Sequence, residues 1–194
     1  MTDNANPEEP QTPASLPGLD RSLVLVGLMG AGKSTIGRRL AARLDLPFVD
    51  ADNEIEAAAG CTIQEIFEEH GEDYFRDGER RVIERLLKGP KCVLATGGGA
   101  FMNEETRALI KDRGCSLWLR ADLEILVQRT GRRTHRPLLN KGNPREILEN
   151  LMSERYPVYS QSNVAVETDD SPHNVVVERA LAALTEYLDT KGNT

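Results

Sequence analysis

Short apolar runs alternate with longer amphipathic stretches along this chain. The apolar runs are continuous, as is typical of strands covered on both faces, and they occupy 22–27, 47–51, 91–97, 115–120 and 163–168. Helical spacing of apolar residues predicts helices over 33–44, 62–71, 72–89, 103–114, 122–131, 144–156 and 172–188. This order predicts an α/β fold, a three-layer α/β/α arrangement around a five-stranded parallel sheet. Ligands of such sheets bind at the carboxyl ends of the strands.

Residues at the ends of these segments support the predicted helix boundaries. Thr62 stands three residues before Glu65, which is the spacing of a capping box. Gly89 and Gly114 end two other helices and suit C-cap positions.

The stretch "GLMGAGKST" over residues 27–35 follows the first strand and opens the first helix. It matches GxxxxGK[ST], in which backbone N–H groups and the start of a helix surround phosphate oxygens. Lys33 is expected to reach the β- and γ-phosphates, and the Ser34 hydroxyl is expected to bind Mg²⁺. With the correct strand and helix on either side, a chance glycine-rich turn is a poor alternative. The motif alone does not distinguish a switch, a motor and a phosphotransferase.

Acidic residues follow the second predicted strand. Asp50 and Asp52 are predicted to project from one face of an extended segment. One carboxylate would then support Mg²⁺ and the other would accept a hydrogen bond from a substrate hydroxyl. The alternative is that Asp52 is the N-cap of the next helix, and that role can coexist with the first.

Further polar and glycine-rich segments are candidates for an acceptor site. Arg76 and Glu79 have the spacing of a surface ion pair. The glycines at 97–99 follow a strand and suggest that a ligand approaches the main chain closely. Arg155, before Pro157, would form a carboxylate clamp together with Arg76.

A basic cluster contains Arg129, Arg132, Arg133 and Arg136 within eight residues. We interpret it as a mobile lid, about 131–143, whose arginines close over a nucleotide and exclude water. The alternatives are a solvated basic loop and an RNA-contacting patch.

Charge and composition separate the first 20 residues from the rest. Residues 1–20 have four prolines and four acids but no Lys or Arg, which predicts a disordered tail rather than a targeting segment. Residues 21–194 are then expected to form one domain. The net charge of −7 argues against a general nucleic-acid binder. No apolar run is long enough to span a membrane, and three cysteines without CxxC spacing favour a cytoplasmic protein.

The motifs "GLMGAGKST", "FVDADNEIE", "IFEEHGEDYFRDGE", "TGGGA", "RPLL" and "RYPVY" occur in that order. With this series of motifs the chain resembles the shikimate kinase family over about residues 22–188. The resemblance implies a P-loop kinase fold with a mobile lid. Many unrelated proteins share the phosphate loop, whereas the rest of the series is specific to far fewer proteins. The resemblance implies transfer of the γ-phosphoryl group of ATP to the 3-hydroxyl of shikimate, in aromatic amino acid biosynthesis. It implies ATP and Mg²⁺ as cofactors and shikimate as substrate, and we expect a monomer.

The resemblance also implies roles for residues at matching positions. The ATP phosphates would contact Gly30, Ala31, Gly32, Lys33, Ser34 and Thr35. Ser34 and Asp50 would bind Mg²⁺, and Asp52 would bind the shikimate hydroxyls and take the proton. Arg76 and Arg155 would hold the carboxylate, Glu79 would orient Arg76, and Gly98 would contact substrate through its backbone. Lys33, Asp52 and the lid residue Arg136 would be catalytic. The loop "TDDSPH" departs from family members that carry a basic or amide residue near the adenine, so no adenine-specific side chain is assigned.

Three other functions fit the phosphate loop. A kinase for gluconate or another small alcohol would share the fold, and a nucleoside monophosphate kinase would need residues that read a second base. A nucleotide-binding regulatory module would leave the acceptor-side acids and arginines unused.

Overall fold

The computed structural model describes residues 16–131 and 142–192 of the 194-residue chain. Five parallel strands form one sheet in the order β2-β3-β1-β4-β5. They are β1 (Ser22–Val26), β2 (Phe48–Asp50), β3 (Val93–Ala95), β4 (Gly114–Ala121) and β5 (Val164–Thr168). The predicted parallel α/β sheet is thus confirmed. The strand β1 lies between β3 and β4, so the strand order reverses beside β1. Such folds bind ligands at this topological switch point.

Seven helices are present in the described part of the chain. They are α1 (Lys33–Leu44), α2 (Ala51–Ala59), α3 (Ile63–Lys88), α4 (Glu104–Arg113), α5 (Leu123–Gly131), α6 (Pro144–Tyr159) and α7 (His173–Gly192). A 3₁₀ turn, Ala100–Met102, follows the glycines. No helix of the described residues is long and apolar enough to cross a bilayer.

The main core joins both helical layers to the sheet. The strands β1, β3 and β4 are almost fully buried, as continuous apolar runs predict. The strand β5 is different, because its burial alternates and Ala165 and Glu167 are exposed. The prediction that every strand is covered on both faces is therefore wrong for β5, which lies at the sheet edge.

Helix α1 packs very closely on the sheet. A Cβ on Gly37 would lie 2.6 Å from a ring carbon of Phe48 and 2.7 Å from a methyl group of Leu25. Only glycine fits there without a shift of the neighbouring side chains. The helix that begins at the phosphate loop is consequently held tightly against β1 and β2.

Helix ends agree in part with the predictions. Thr62 and Glu65 form both hydrogen bonds of the capping box. Gly89 and Gly114 are C-caps, but their φ angles are −82° and −137°, so neither uses the left-handed conformation of a glycine cap. Helix α6 continues to Tyr159 through Pro157, beyond the predicted end at 156.

The two helices predicted over 62–71 and 72–89 are present as the two halves of α3, and the predicted division between them is confirmed as a kink. At Gly71 the backbone has φ 81° and ψ −179°, which interrupts the helical conformation within α3. Helices α2 and α3 share a small apolar cluster, separate from the main core, formed by Ile55, Ile66, Phe75 and Val82. We call this the α2–α3 cluster.

Candidate functional site

The phosphate loop joins β1 to α1 at the centre of the sheet. Its glycines have positive φ angles, 145° at Gly27, 85° at Gly30 and 94° at Gly32, which L side chains rarely adopt. Gly32 is the N-cap of α1 without a side-chain cap, so the first N–H groups of the helix face the loop. Lys33 Nζ donates to the carbonyl oxygens of Gly27 at 2.7 Å and Leu28 at 3.1 Å. This loop has the shape and the charge of an anion-binding site.

Asp50 connects the phosphate loop to the start of α2. Its Oδ2 accepts a hydrogen bond from Ser34 Oγ at 3.0 Å, and its Oδ1 accepts one from the Asp52 N–H at 3.2 Å. Asp50 is therefore the N-cap of α2, so the interpretation of Asp52 as N-cap is wrong. The predicted extended segment is also wrong, since Asp52 lies in the first helical turn. The two carboxylates are brought together by a strand-to-helix junction, not by strand alternation.

Arg76 and Glu79 form a partly buried ion pair on α3. Arg76 Nη1 lies 2.7 Å from Glu79 Oε2, and Glu72 contacts the same guanidinium at 3.2 Å. Glu79 is only 2% exposed. Its second oxygen, Oε1, has no hydrogen-bond partner among the described residues. Because Glu79 is buried and Arg76 is only partly exposed, the pair differs from the solvated helix-surface pair that its spacing also allowed.

The glycines at 97–99 are the meeting point of these side chains. A Cβ on Gly97 would lie 2.8 Å from Glu79 Oε1 and 3.0 Å from Asp52 Oδ1. A Cβ on Gly99 would lie 2.5 Å from Arg76 Nη2. Thr96, just before them, is buried and donates through Oγ1 to the Leu25 carbonyl at 2.9 Å, which ties the end of β3 to β1. Glycine is needed here because charged groups crowd the main chain.

Arg155, on α6, completes the arrangement around the glycines. A Cβ on Gly98 would lie 3.4 Å from Arg155 Nη1, 3.6 Å from the Gly27 carbonyl oxygen and 3.8 Å from the Met29 amide nitrogen. Gly98 thus lies between the phosphate loop and Arg155. Residues from the phosphate loop, α2, α3 and α6 converge on a single three-residue segment.

The electrostatics of the carboxylates reflect this crowding. Burial and the neighbouring Asp50 charge raise the pKa of Asp52, while Lys33 opposes the shift. Burial also raises the pKa of Glu79, although the Arg76 guanidinium favours its charged form. A carboxylate with a raised pKa is a better proton acceptor than one in water.

Arg129 was predicted only as a member of the basic cluster. Its guanidinium donates to the Asp169 carbonyl and, at 3.5 Å, to the Gly30 carbonyl of the phosphate loop. It therefore links that loop to the β5–α7 connection. Sequence spacing contained no signal for this contact, because the partners are 40 and 99 residues away. The predicted lid residue Arg136, with Arg132 and Arg133, lies outside the described residues.

Comparison with protein families identifies a match over most of the chain. The family model described as "Shikimate kinase" matches residues 29–185. A shikimate kinase of Bradyrhizobium diazoefficiens is 58% identical over 168 residues, which cover 87% of this chain and 81% of that protein.

Solved structures give the same result. A shikimate kinase from Acinetobacter baumannii, in complex with shikimate, superposes with a TM-score of 0.81 at 39% identity and covers 88% of this chain and 94% of its own. A gluconokinase from Sinorhizobium meliloti reaches a TM-score of 0.64 at 20% identity, covering 92% of this chain and 98% of its own. That likeness extends to the fold alone.

Proposed function

The chain belongs to the shikimate kinase family and is an ATP-dependent kinase acting on a hydroxyl of shikimate, and we propose how its residues divide this reaction between them. The observation that supports the proposal is the position of Gly98, within about 4 Å of both the phosphate loop and Arg155 when a Cβ is built on it. A substrate bound at these glycines has its hydroxyls next to the nucleotide's terminal phosphate.

The phosphate half of the site is formed by the loop and the start of α1. Backbone N–H groups from Gly30 to Thr35 hold the phosphates, and Lys33 contacts the β- and γ-phosphates. Arg129, through its position beside Gly30, adds positive charge on the nucleotide side. Arg136 is proposed as the lid arginine that meets charge developing on the transferring phosphoryl group.

The Mg²⁺ site is proposed at Ser34 and Asp50. The Ser34 hydroxyl and an Asp50 carboxylate oxygen are 3.0 Å apart, so two oxygen atoms that can coordinate a metal lie side by side. Among the described residues no group of three His, Cys, Asp or Glu side chains could hold a metal. This agrees with a Mg²⁺ ion that takes its other ligands from phosphates and water. Bound there, Mg²⁺ would neutralise charge on the β- and γ-phosphates.

The acceptor half binds the substrate by charge. Arg76 and Arg155 hold the carboxylate, Glu79 orients Arg76 through the 2.7 Å ion pair, and the Gly98 backbone contacts the substrate. Asp52 accepts a hydrogen bond from the 3-hydroxyl. As the hydroxyl oxygen bonds to the γ-phosphorus, the bond from phosphorus to the bridging oxygen of ADP breaks and Asp52 takes the proton. The protein contributes mainly position and charge, as phosphoryl transfer requires.

The test is a coupled assay of ADP release, with shikimate, gluconate and a nucleoside monophosphate supplied in turn. ADP is expected in proportion to added shikimate, with shikimate 3-phosphate as the second product identified by ³¹P NMR. Release of ADP only with gluconate, or none with any acceptor, would contradict the proposal. The second result would favour a regulatory module.

A cytoplasmic monomer is also proposed. The three cysteines are all free thiols, two of them buried, which suits a reducing compartment. Light scattering of the full chain is expected to give the mass of one 21.5 kDa copy. A mass near twice that value would contradict the monomer.

A further inference from the structure

Tyr159 is a buried residue for which the mechanism above has no use. It is fully buried at the end of α6, four residues after Arg155, so the two side chains lie on the same helix face. The helix reaches Tyr159 only because it continues through Pro157. Tyr159 is thereby held at the same end of the sheet as the glycines.

The Tyr159 hydroxyl contacts two groups of the acceptor site. It donates a hydrogen bond to the carbonyl oxygen of Gly98, and the Arg155 guanidinium lies beside the same oxygen atom of Tyr159. Both contacted groups belong to the proposed carboxylate-binding half.

The ring of Tyr159 is fixed by other aromatic side chains. Its centroid lies 6.0 Å from that of Trp118 and 6.4 Å from that of Phe101, which belongs to the 3₁₀ turn after the glycines. With no exposed surface and neighbours on both sides, the ring has little freedom to turn. Its hydroxyl is therefore a fixed point to which mobile groups can be held.

A hydrogen bond to the Gly98 carbonyl orients the whole peptide unit to which that oxygen belongs. The Gly98 carbonyl and the Gly99 N–H belong to one planar trans peptide unit, in which they point in opposite directions. Holding the carbonyl therefore sets the direction of the Gly99 N–H. Neither amide hydrogen of Gly98 and Gly99 is bonded to another described backbone group. Both amides remain available for a ligand.

We propose that Tyr159 is a positioning residue: its hydroxyl holds the Gly98–Gly99 peptide unit and the Arg155 guanidinium in the orientation that meets the substrate carboxylate. This inference rests on the proposed function. Burial raises the pKa of Tyr159 to about 12, although Arg155 opposes the shift. The hydroxyl therefore keeps its proton, and remains a donor, throughout the pH range of an assay.

Tyr156 offers a matched control on the same helix. Its hydroxyl also donates to a backbone carbonyl, that of Ala121 at the end of β4, and its ring also packs on Trp118. Ala121 is outside the acceptor site. Removing either hydroxyl takes away a hydrogen bond to a backbone carbonyl, but only the Tyr159 bond is made to a group that we place at the substrate.

The experiment compares Tyr159→Phe with Tyr156→Phe by calorimetric titration with shikimate and, separately, with ATP. Tyr159→Phe is expected to weaken shikimate binding by roughly three- to tenfold, the effect of one buried hydrogen bond, with ATP binding within about twofold of the wild type. Tyr156→Phe is expected to leave shikimate binding within about twofold, even where its melting temperature falls equally. Normal shikimate binding by Tyr159→Phe, or equal weakening in both variants, would overturn the inference.

Two further arms separate positioning from general packing. Shikimate methyl ester lacks the carboxylate charge, so Tyr159→Phe is expected to change its affinity by less than about twofold. Placing 4-aminophenylalanine at 159 retains an N–H donor and is expected to restore shikimate affinity. A loss with the ester as large as that with shikimate, or no rescue by the amine, would also overturn the inference.

Arg155→Ala distinguishes failure of the inference from failure of the proposed function. If Arg155→Ala binds shikimate normally, the proposed carboxylate clamp is wrong whatever Tyr159→Phe does. If Arg155→Ala loses shikimate binding while Tyr159→Phe retains it, the clamp stands and only the role of Tyr159 is rejected.

Discussion

Asp50 and Asp52 are only two residues apart, but they have different surroundings. Asp50 caps α2 and contacts Ser34, whereas Asp52 lies beside Gly97 and near Glu79. This difference gives one carboxylate a position suited to a metal ion and the other a position suited to a substrate hydroxyl. The assignment of roles can therefore be tested one residue at a time.

Replacing Asp52 by Asn keeps the side-chain size but removes the proton acceptor. We expect kcat to fall about 10²- to 10⁴-fold, the usual contribution of a general base, while the Kd for ATP stays within about twofold. Steady-state kinetics and calorimetry measure the two quantities. Asp73→Asn, which changes an exposed carboxylate of α3, is the control. A variant with wild-type kcat would remove Asp52 from the mechanism.

Gly99→Ala tests whether glycine is required at this position to leave room for the charged side chains around it. Gly99 has φ −90° and ψ −17°, which alanine adopts without strain. The new Cβ would lie 2.5 Å from Arg76 Nη2, so the flexible guanidinium has to move. We expect the KM for shikimate to rise about tenfold or more, with little change in melting temperature. An unchanged KM would show that the position of Arg76 is unimportant.

At the scale of elements, the kink in α3 arises from the backbone conformation of one glycine and not from side-chain packing. Gly71 and Gly78 are both in this helix, and a Cβ on either would have no atom within 4 Å. They differ in conformation, because only Gly71 has a positive φ, 81°, with ψ −179°. Few residues other than glycine tolerate that combination.

Gly71→Ala is therefore expected to destabilise the protein by roughly 1–3 kcal/mol. Gly78→Ala, in regular helix, is expected to stabilise it by up to about 1 kcal/mol. Urea denaturation of the two variants beside the wild type measures both free energies. Equal effects of the same sign would contradict a conformational origin.

Elements were predictable from sequence where local chemistry determines them. The phosphate loop, the five strands and the Thr62 capping box follow from spacing and residue type. The position of Arg129 against Gly30, the extension of α6 to Tyr159 and the N-cap role of Asp50 were not predicted. These depend on contacts between segments far apart in the chain, or on the residue at which a strand gives way to a helix.

At the scale of the whole molecule, the site affects stability. Asp52 and Glu79 have raised pKa values in the folded protein, so both are more easily protonated there than in the unfolded chain. Their contribution to stability is fully present below their unfolded pKa values, about 3.9 and 4.3, and is lost as pH rises through the folded ones. The buried carboxylates thus destabilise the unliganded protein near neutral pH.

Asp52→Asn is accordingly expected to increase the free energy of unfolding relative to the wild type, and increasingly so as the pH rises above about 4 through the raised pKa of Asp52. The reason is that the neutral amide escapes the desolvation and the repulsion by Asp50 that raise the Asp52 pKa. Urea denaturation at several pH values, without ligands, measures the difference. The same variant would then be less active and more stable. A difference that shrinks with rising pH would contradict the assigned shift.

The division into a tail, 1–20, and a single domain, 21–194, stays a prediction, as does the lid at about 131–143. Residues 1–15 and 132–141 lie outside the described part of the chain. Limited proteolysis with and without nucleotide would examine both boundaries.

The α2–α3 cluster, Ile55, Ile66, Phe75 and Val82, is separate from the main core and supports the helices that carry Asp52, Arg76 and Glu79. By contrast, α1 is pressed onto the sheet at Gly37. Combinatorial libraries directed at this small cluster could reshape the pocket for other polyhydroxylated acids. The phosphate loop and α1, which bind the nucleotide, would stay unchanged. The α2–α3 half of the site is therefore the better starting point for engineering new specificity.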